Sequence, residues 1–316
     1  MSRERPLHKK GSKGLRLPFF ATLIAGVVLL AAIGGWVLTR PERTSDEVLA
    51  GLVPDVAQGR RIFFAAGCGA CHAAPHATKD AKLVLSGGRR FASPFGTFVA
   101  PNISPDPLHG IGRWSALDLY NALHFGTSPD GRHYYPAFPY TTFQNMRPQD
   151  VVSLRAFLAT LPASVTPSQP HEVGFPFNIR RGLGLWKRLF LRPGWVVGGR
   201  LSEQEMRGRY LVEALGHCAE CHTPRNLLGA LRRDRWLGGA PNPVGKGRFP
   251  NITPAALDWS AVDIKAYLQT GFTPDYDSAG GEMVDVIDNL AHLPDTDPAD
   301  MAAYLKRVPP LASKKP

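Results

Sequence analysis

The pattern of apolar and polar positions divides the chain into one long apolar segment and a longer mixed region. Residues 18–39 contain no charged side chain, and about 20 apolar residues in a row match the hydrocarbon thickness of a bilayer. Beyond this segment, apolar positions recur with the period of helices, and no alternating strand pattern is persuasive. Helices are predicted over residues 54–66, 115–125, 148–160, 202–216, 260–270 and 298–307. We therefore predict an all-α fold that follows one N-terminal transmembrane helix.

The residues on either side of the apolar segment predict its orientation. Residues 1–17 carry six basic side chains and one acidic side chain, Glu4. Because basic flanks stay in the cytoplasm, we predict a basic cytoplasmic tail (1–17), a single-pass anchor (18–39) in the inner membrane, and a periplasmic remainder. A cleaved signal peptide is the alternative, but its apolar region would be about 7–15 residues long and would end in small residues. The length of this segment, and its ending in WVLTRP at 36–41, favour a retained anchor.

The region after the anchor repeats itself at an offset of about 145–150 residues. The sequence PNISP at 101–105 matches PNITP at 250–254, and Trp114-Ser115 matches Trp259-Ser260, with an aspartate three residues after each serine. Each serine is a predicted helix N-cap. Ordered matches of this kind indicate a duplicated domain. The predicted boundaries are 50–162 for the first copy, 163–200 for a linker and 201–310 for the second copy.

Both copies contain two cysteines followed by a histidine, in the segments Cys68–His72 and Cys218–His222. Two thiols separated by two residues can each add to one vinyl group of a single porphyrin, and the next residue is then placed to bind the iron. This C-x-x-C-H pattern is the attachment motif of c-type haem. The sequence therefore predicts two covalently bound haem c groups. The attachment residues are Cys68, Cys71, Cys218 and Cys221, and the iron ligands are His72 and His222.

Other uses of paired cysteines agree less well with this sequence. Four sulfurs could bind zinc, but about 146 residues separate the pairs and each pair carries the additional histidine. A thioredoxin-like redox pair requires a βαβ context, which the helical pattern does not provide. A structural disulfide between thiols three residues apart is unusual. Haem attachment is therefore our prediction for both pairs.

The second ligand of each iron is where the two copies differ. A methionine thioether opposite histidine raises the reduction potential and suits electron transfer. Met283 follows two glycines and precedes the last predicted helix, so we predict that it binds the second iron. The equivalent residue in the first copy is Phe138, which cannot bind iron. We predict the nearest methionine, Met146, as a ligand of the first iron, although it also aligns with the core position Leu293. The alternatives are His133, His109 and an open site.

The sequence resembles the cytochrome c subunits of periplasmic membrane-bound dehydrogenases, such as those for alcohol, gluconate and related polyols. The resemblance covers nearly all of residues 50–310 and includes both C-x-x-C-H motifs and both PNI(S/T)P loops. It also includes the segments Gly110–Ser115, Tyr135–Tyr140, Phe175–Arg180 and Gly280–Met283. Two departures from the family pattern are present. The family subunits carry three haems, and their first-domain axial methionine aligns with Phe138.

The resemblance implies an electron-transfer subunit rather than a catalyst. A periplasmic dehydrogenase would reduce one haem, and the electron would pass to the other haem and on to a quinone, an oxidase or a soluble cytochrome. Two other classes stay open: a dihaem enzyme (a peroxidase or a sulfur-compound oxidase) and an accessory subunit of a terminal oxidase. The formal charge of +11 does not predict nucleic-acid binding, because no nucleic-acid-binding module accompanies it.

Overall fold

The structure, a computed structural model, describes residues 16–243 and 247–313, without the side chains of residues 16–19. It separates into two units, Met1–Arg40 and Pro41–Pro316, and the second unit is here called the body. Most of the predicted basic tail (1–17) lies outside the described residues.

The first unit contains one long helix, α1 (Arg16–Leu38). At a rise of 1.5 Å per residue its length is about 34 Å, which exceeds the hydrocarbon thickness of a bilayer. The stretch from Phe20 to Leu38 has a mean hydropathy of 2.3, and its side chains are almost all exposed. Within the described part of the chain, α1 is the one helix that is long and apolar enough to cross a membrane.

The body is built mainly from helices, which form two similar series. The first series consists of α2 (Val56–Ala65), α3 (Cys68–His72), α4 (Ala116–Phe125), α5 (Tyr140–Phe143) and α6 (Pro148–Leu158). Helix α7 (Gly182–Phe190) lies between the two series in the sequence. The second series consists of α8 (Glu203–Tyr210), which continues as a π-helical turn (Leu211–Leu215), α9 (Ala219–His222), α10 (Ala261–Thr270), α11 (Glu282–Leu290) and α12 (Thr296–Arg307). Short 3-10 turns occupy Asp46–Leu49, Lys79–Leu83 and Arg233–Arg235.

The six predicted helices correspond to α2, α4, α6, α8 with its π turn, α10 and α12, but the expectation of no strands was wrong. Strand β1 (Arg90–Ser93) pairs with β2 (Gly96–Val99), and β3 (Gly238–Pro241) pairs with β4 (Arg248–Asn251), both antiparallel. Each strand has four residues, which is too short to show a clear alternating pattern. Strand β3 also contains two glycines and a proline, which are depleted in strands.

Serine caps determine where α4 and α10 begin, as the sequence predicts. Ser115 and Ser260 each accept a hydrogen bond from the N–H of the aspartate three residues later, Asp118 or Asp263. That aspartate in turn accepts a hydrogen bond from the serine N–H, which completes a capping box. Both helices end at a glycine in the left-handed conformation, with φ of 56° and 77°, a backbone geometry that favours glycine.

One helix crossing recurs in each series and brings two backbones into direct contact. A Cβ at Gly59 of α2 would lie 2.0 Å from the carbonyl oxygen of Ser153 in α6. A Cβ at Gly208 of α8 would lie 1.9 Å from the carbonyl oxygen of Asp300 in α12. Because only glycine permits this approach, the first and last helices of each series are held in the same kind of crossing.

A hydrophobic core runs through both series. Buried residues of α2 and α6 belong to the same cluster as those of α8, the π turn and α12. Polar contacts also cross between the series. The Tyr210 hydroxyl donates to the Asp150 carboxylate and accepts from the Arg147 N–H at 3.2 Å. The two series therefore form one body with a shared interior.

Candidate functional site

The first predicted attachment motif forms the short helix α3. Because residues three or four apart share one face of a helix, Cys68, Cys71 and His72 lie on the same face. The turn is tightly packed, since a Cβ at Gly69 would lie 2.9 Å from the carbonyl oxygen of Lys82. Burial raises the pKa of Cys68 to about 12 and also raises the pKa of Cys71. Both thiols are therefore neutral at pH 7.

The second motif forms the equivalent turn, in which α9 directly follows Cys218. Burial raises the pKa of Cys218 to about 12 and that of Cys221 to about 11. Between these cysteines, Glu220 forms an ion pair with Arg225 and accepts a hydrogen bond from the Thr141 hydroxyl of α5 at 3.2 Å. The structure thus places each predicted cysteine pair on one helical turn beside its histidine.

A backbone carbonyl holds each motif histidine in one tautomer. Nδ1 of His72 donates to the carbonyl oxygen of Pro101 at 2.9 Å, and Nδ1 of His222 donates to that of Pro250 at 2.8 Å. A ring that donates from Nδ1 presents the lone pair of Nε2, which can bind a metal. Burial lowers the pKa of both rings, which keeps them neutral. The repeated PNI(S/T)P loops were the sequence signal for these two contacts.

Asparagine side chains hold the two proline carbonyls in place. Asn102 donates from Nδ2 to the carbonyl oxygens of Ser164 and Thr166, both at 2.8 Å, and Asn251 donates to that of Leu311 at 2.7 Å. The Oδ1 atom of each asparagine accepts from the N–H two residues later, at 2.9 Å. In both series, the segment that follows the last helix therefore fixes the loop that orients the histidine.

The two motifs touch at the residues that precede their first cysteines. His217 occupies the position equivalent to Gly67, and both backbones are left-handed, with φ of 40° and 59°. A Cβ at Gly67 would lie 3.8 Å from Nε2 of His217, and the His217 ring is hydrogen-bonded to the backbone of Ala66. The ring also packs edge-on against Phe143, with 5.9 Å between ring centroids. The segments that carry the two cysteine pairs are therefore in direct contact.

Phe138 and Met283 occupy equivalent backbone positions. After the left-handed glycines that end α4 and α10, the N–H groups of Tyr134 and Ala279 donate back to the glycine carbonyls, both at 2.7 Å. Phe138 and Met283 follow four residues later, and each N–H donates to the carbonyl three residues before it, at 3.0 and 3.3 Å. Both side chains are half-buried and pack against the core. Phe138 therefore has the place in the first series that Met283 has in the second.

Met146 lies in the hydrophobic core. Its side chain is 2% exposed, and its carbonyl oxygen accepts from Nε2 of the buried His124 at 2.9 Å. Leu293 is its equivalent, because each lies four residues before the aspartate in the first turn of the last helix, Asp150 or Asp297. A core leucine thus fills this position in the second series. Iron ligation by Met146 stays a prediction.

A small ion-pair cluster joins the first motif to the helix that carries Met283. Asp285 of α11 binds Lys82 at 3.0 Å and Arg89 at 2.8 Å, and Arg89 also donates to the carbonyl oxygen of Ala70 inside the first motif. Burial raises the pKa of Asp285, but hydrogen bonds from Arg89 and Lys82 outweigh this effect and lower it. Sequence reasoning missed the cluster because Lys82 and Arg89 lie 203 and 196 residues from Asp285.

The donor set fits a porphyrin iron with thioether attachments better than a bare metal ion. Within the described residues, no group of three or more His, Cys, Asp or Glu side chains could hold a metal ion. Each series instead offers two thiols and an imidazole already bonded through Nδ1, and the second series adds a thioether. Among the histidine alternatives, Nδ1 of His109 contacts Asp106 at 3.2 Å and His133 is buried.

Comparisons with known proteins relate the chain to cytochromes c. The cytochrome c family matches residues 56–162. A dihaem c-type cytochrome of Cereibacter sphaeroides is 59% identical over 290 residues, which cover 91% of this chain and 98% of that protein. The cytochrome subunit of fructose dehydrogenase from Gluconobacter japonicus is 37% identical. The match covers 92% of this chain and 60% of that subunit.

A further relative shows the same partial coverage. The cytochrome c subunit of alcohol dehydrogenase (quinone) from Gluconobacter oxydans is 34% identical, over 82% of this chain and 56% of that subunit. The chain therefore spans almost the whole of the Cereibacter protein, but three fifths or less of these two dehydrogenase subunits.

Proposed function

This chain belongs to the dihaem c-type cytochromes, and on that basis we propose that it is a membrane-anchored electron-transfer protein with two covalently bound haem c groups. In this proposal, residues 1–17 are a cytoplasmic tail and residues 18–39 are a retained single-pass anchor in the inner membrane. The body lies on the periplasmic side. Residues 50–162 and 201–310 are duplicated cytochrome c domains, and residues 163–200 link them.

The similarity of the two helical series supports the duplication. Each series contains a glycine-mediated crossing of its first and last helices, a short C-x-x-C-H helix, a two-stranded hairpin and a helix with a serine capping box. These elements occur in the same order. A repeated order of several independent features is typical of duplicated units.

Each haem would be held by residues of one series. Bound haem c supplies one-electron exchange at its iron. The attachment residues are Cys68 and Cys71 for one group and Cys218 and Cys221 for the other, with His72 and His222 as iron ligands. Met283 is the proposed second ligand in the second domain, and Met146 is the predicted one in the first. The Pro101 and Pro250 carbonyls keep the two histidines oriented, and burial lowers the pKa of both rings and keeps them neutral.

The observation that carries the proposal is the contact between the two motifs. Gly67 and His217 each precede an attachment cysteine. A Cβ at Gly67 would lie 3.8 Å from Nε2 of His217, and the His217 ring is hydrogen-bonded to the backbone of Ala66. Electron transfer between cofactors becomes steeply slower with distance, and cofactors attached to these neighbouring segments would be close enough to exchange electrons within one chain. This arrangement suits a carrier that accepts an electron at one domain and delivers it from the other.

The proposed electron donor is a periplasmic dehydrogenase, and the proposed acceptor is a quinone, an oxidase or a soluble cytochrome. Support for the donor comes from relatives that are themselves cytochrome subunits of fructose and alcohol dehydrogenases. The partial coverage of those subunits leaves the particular dehydrogenase open.

The proposal is tested on the full chain purified from membranes in detergent. Pyridine haemochrome absorbance and intact mass should both report two haems per chain. The paired variants Cys68→Ala/Cys71→Ala and Cys218→Ala/Cys221→Ala should each retain one haem. Mixing the reduced chain with a soluble cytochrome should then oxidise both haems. A mass without two added haems, or haems that exchange no electrons with any carrier, would refute the proposal.

Phe138 favours a second candidate function, a dihaem enzyme such as a peroxidase or a sulfur-compound oxidase. A first haem without a strong second protein ligand has room for a small substrate. Carbon monoxide binding to one reduced haem, together with peroxide turnover by the full chain, would support the enzyme. Copurification with oxidase subunits would instead support an accessory subunit of a terminal oxidase.

A further inference from the structure

Helix α7 of the linker has one face that packs on the body and one that does not. Gly184 and Lys187 are buried. On the other face, Leu185 and Leu189 are 52% and 48% exposed, and they lie one helical turn apart. The segment before the helix adds Phe175, which is 81% exposed. An amphipathic helix normally covers its apolar face, so this exposed stripe requires a partner.

The packed face of α7 is fixed to both series. The Lys187 ammonium donates to the carbonyl oxygens of Phe125 and Gly126 at the end of α4, at 2.6 and 2.7 Å. Nε1 of Trp186 donates to the carbonyl oxygen of Leu228, in the second series, at 2.8 Å. These contacts prevent the helix from rotating its leucines inward. The exposed stripe is therefore a fixed feature of the surface.

Apolar side chains before α7 lie close to the loop that carries Leu227 and Leu228. Phe177 packs edge-on against Phe95, with 5.0 Å between ring centroids, and the Phe95 ring lies 2.9 Å from where a Cβ at Gly229 would be. Gly229 directly follows Leu227 and Leu228, which are both exposed. The linker surface is defined here as Phe175, Phe177, Ile179, Leu185, Leu189, Leu227 and Leu228.

The linker segment itself is basic. Residues 175–192 contain four arginines and no acidic residue, and their one lysine, Lys187, is buried. Exposed apolar side chains beside arginines are the pattern of helices that lie in the interface of an anionic bilayer. Such a bilayer also attracts basic residues electrostatically. A lipid surface therefore matches both properties of this face.

The start of the body lies beside α7. The charge of Glu42 acts on Lys187, and Arg43 donates to the carbonyl oxygen of Pro129 at 2.8 Å, just beyond the end of α4. Under the proposed function, the preceding residues 18–39 are in the bilayer. Only Arg40 and Pro41 separate the proposed anchor from Glu42 in the sequence, so the tether between bilayer and body is short.

We propose that the linker surface docks on anionic phospholipid, with α7 parallel to the membrane and Leu185 and Leu189 inserted among the headgroups. The inference rests on the proposed membrane anchor. Docking would hold the body in one orientation, so that the two domains present fixed faces to a dehydrogenase and to a membrane acceptor.

The test uses the full haem-loaded chain in nanodiscs made of phosphatidylcholine, with or without phosphatidylglycerol. Leu185→Cys and Leu189→Cys are alkylated with a membrane-impermeant maleimide, and Val262→Cys, at an exposed position of α10, is the matched control. An anionic surface attracts each basic side chain by about 1 kcal/mol, which corresponds to roughly a fivefold change in binding. We therefore expect alkylation at 185 and 189 to be about fivefold slower in the anionic discs. The rate at 262 should not change.

A charge variant separates lipid attraction from other causes of protection. Arg188→Glu/Arg192→Glu should abolish the slow alkylation of Leu185→Cys, whereas Arg113→Glu, an exposed arginine outside the linker surface, should leave it intact. Equal rates at all three cysteines in both lipids would overturn the docking surface alone. A chain that does not co-elute with either disc would overturn the anchor and the docking together. Protection that appears only after a dehydrogenase is added would assign the surface to a protein partner instead.

Discussion

The two series of the body agree at their histidines and differ at the residues proposed to lie on the other side of the iron. His72 and His222 have the same partner, a proline carbonyl in a pinned loop, at 2.9 and 2.8 Å. Phe138 and Met283 share a backbone position but not a chemistry. The comparison indicates that a histidine fixed through Nδ1 is common to both series, as two haem domains would require. The opposite ligand is the part that each domain can change separately, and ligand identity sets the potential.

The variant Met283→Phe makes the second series like the first and should have the largest effect. Loss of the thioether should remove the thioether-to-iron absorption band and lower the potential of one haem by on the order of 100 mV, since axial ligands shift haem potentials over a wide range. Spectroelectrochemical titration measures both changes. The neighbouring Val284→Phe adds an aromatic ring without removing a donor and should keep the band. A band unchanged by Met283→Phe would exclude Met283 as a ligand.

The reverse change, Phe138→Met, should make the first series like the second. We expect an increase in the thioether band and a higher potential for the first haem, because the new sulfur occupies the backbone position that Met283 has. Phe138→Leu is the control, because it also shortens the side chain but supplies no donor. If Phe138→Met changes nothing, another residue already binds the first iron.

Lys187 acts on the end of α4 and should make stability depend on pH. Burial lowers its pKa to about 7, compared with about 10.4 in an unfolded chain. Between these values the unfolded state binds a proton that the folded state does not, so the free energy of unfolding should rise as pH increases from about 7 to about 10. Below about pH 7, the contribution of Lys187 to the free energy of unfolding should not change with pH. Urea denaturation at several pH values gives the free energy of unfolding of the wild type and of Lys187→Met. The difference between the two should change between about pH 7 and about pH 10, and a constant difference would contradict the lowered pKa of Lys187.

Asp285→Asn should loosen the tie between the first motif and the helix that carries Met283. The ion pairs with Lys82 and Arg89 are partly exposed, so we expect a loss of about 1 kcal/mol in the free energy of unfolding. The thioether band should also weaken at lower denaturant concentration. Asp288→Asn is the control. The Asp288 carboxylate is more exposed and forms an ion pair with Lys82 but not with Arg89, so its removal should have a smaller effect. Equal effects of the two variants would show that the cluster has no special role.

Met146→Leu should have the smallest effect, because the second series already has a leucine at this core position. A swap of similar volume usually costs less than about 1.5 kcal/mol, so the free energy of unfolding should change little. Haem spectra that stay the same would exclude Met146 as an iron ligand. Urea denaturation and the absorption spectrum test this together, with Leu293→Met as the reciprocal swap. Loss of a thioether band in Met146→Leu would instead establish Met146 as a ligand.

Much of the helical fold could be predicted from local sequence. The caps at Ser115 and Ser260 and the apolar period of the main helices depend on residues a few positions apart. The hairpins could not be predicted, because strands of four residues carry too little pattern and β3 contains glycine and proline. Helix α7 lies in the segment predicted only as a linker, and its position depends on the Lys187 contacts with Phe125 and Gly126.

The candidate site divides in the same way. The C-x-x-C-H motifs are local, and the structure brings the residues of each motif together. The carbonyl partners of His72 and His222 lie in loops 29 and 28 residues away, and repetition of those loops was the available signal. The contact of Gly67 with His217 and the Asp285 cluster join residues from different copies. Such contacts depend on how the series pack, which no short pattern encodes.

The shared interior has a consequence for how the protein can be divided. Tyr210 of α8 reaches Asp150 of α6, and buried side chains of both helices belong to one cluster. A chain cut between the copies would leave each fragment with an apolar face open to water and a hydroxyl or carboxylate without its counterpart. The two copies should therefore unfold together, and heating should give a single calorimetric peak for the body.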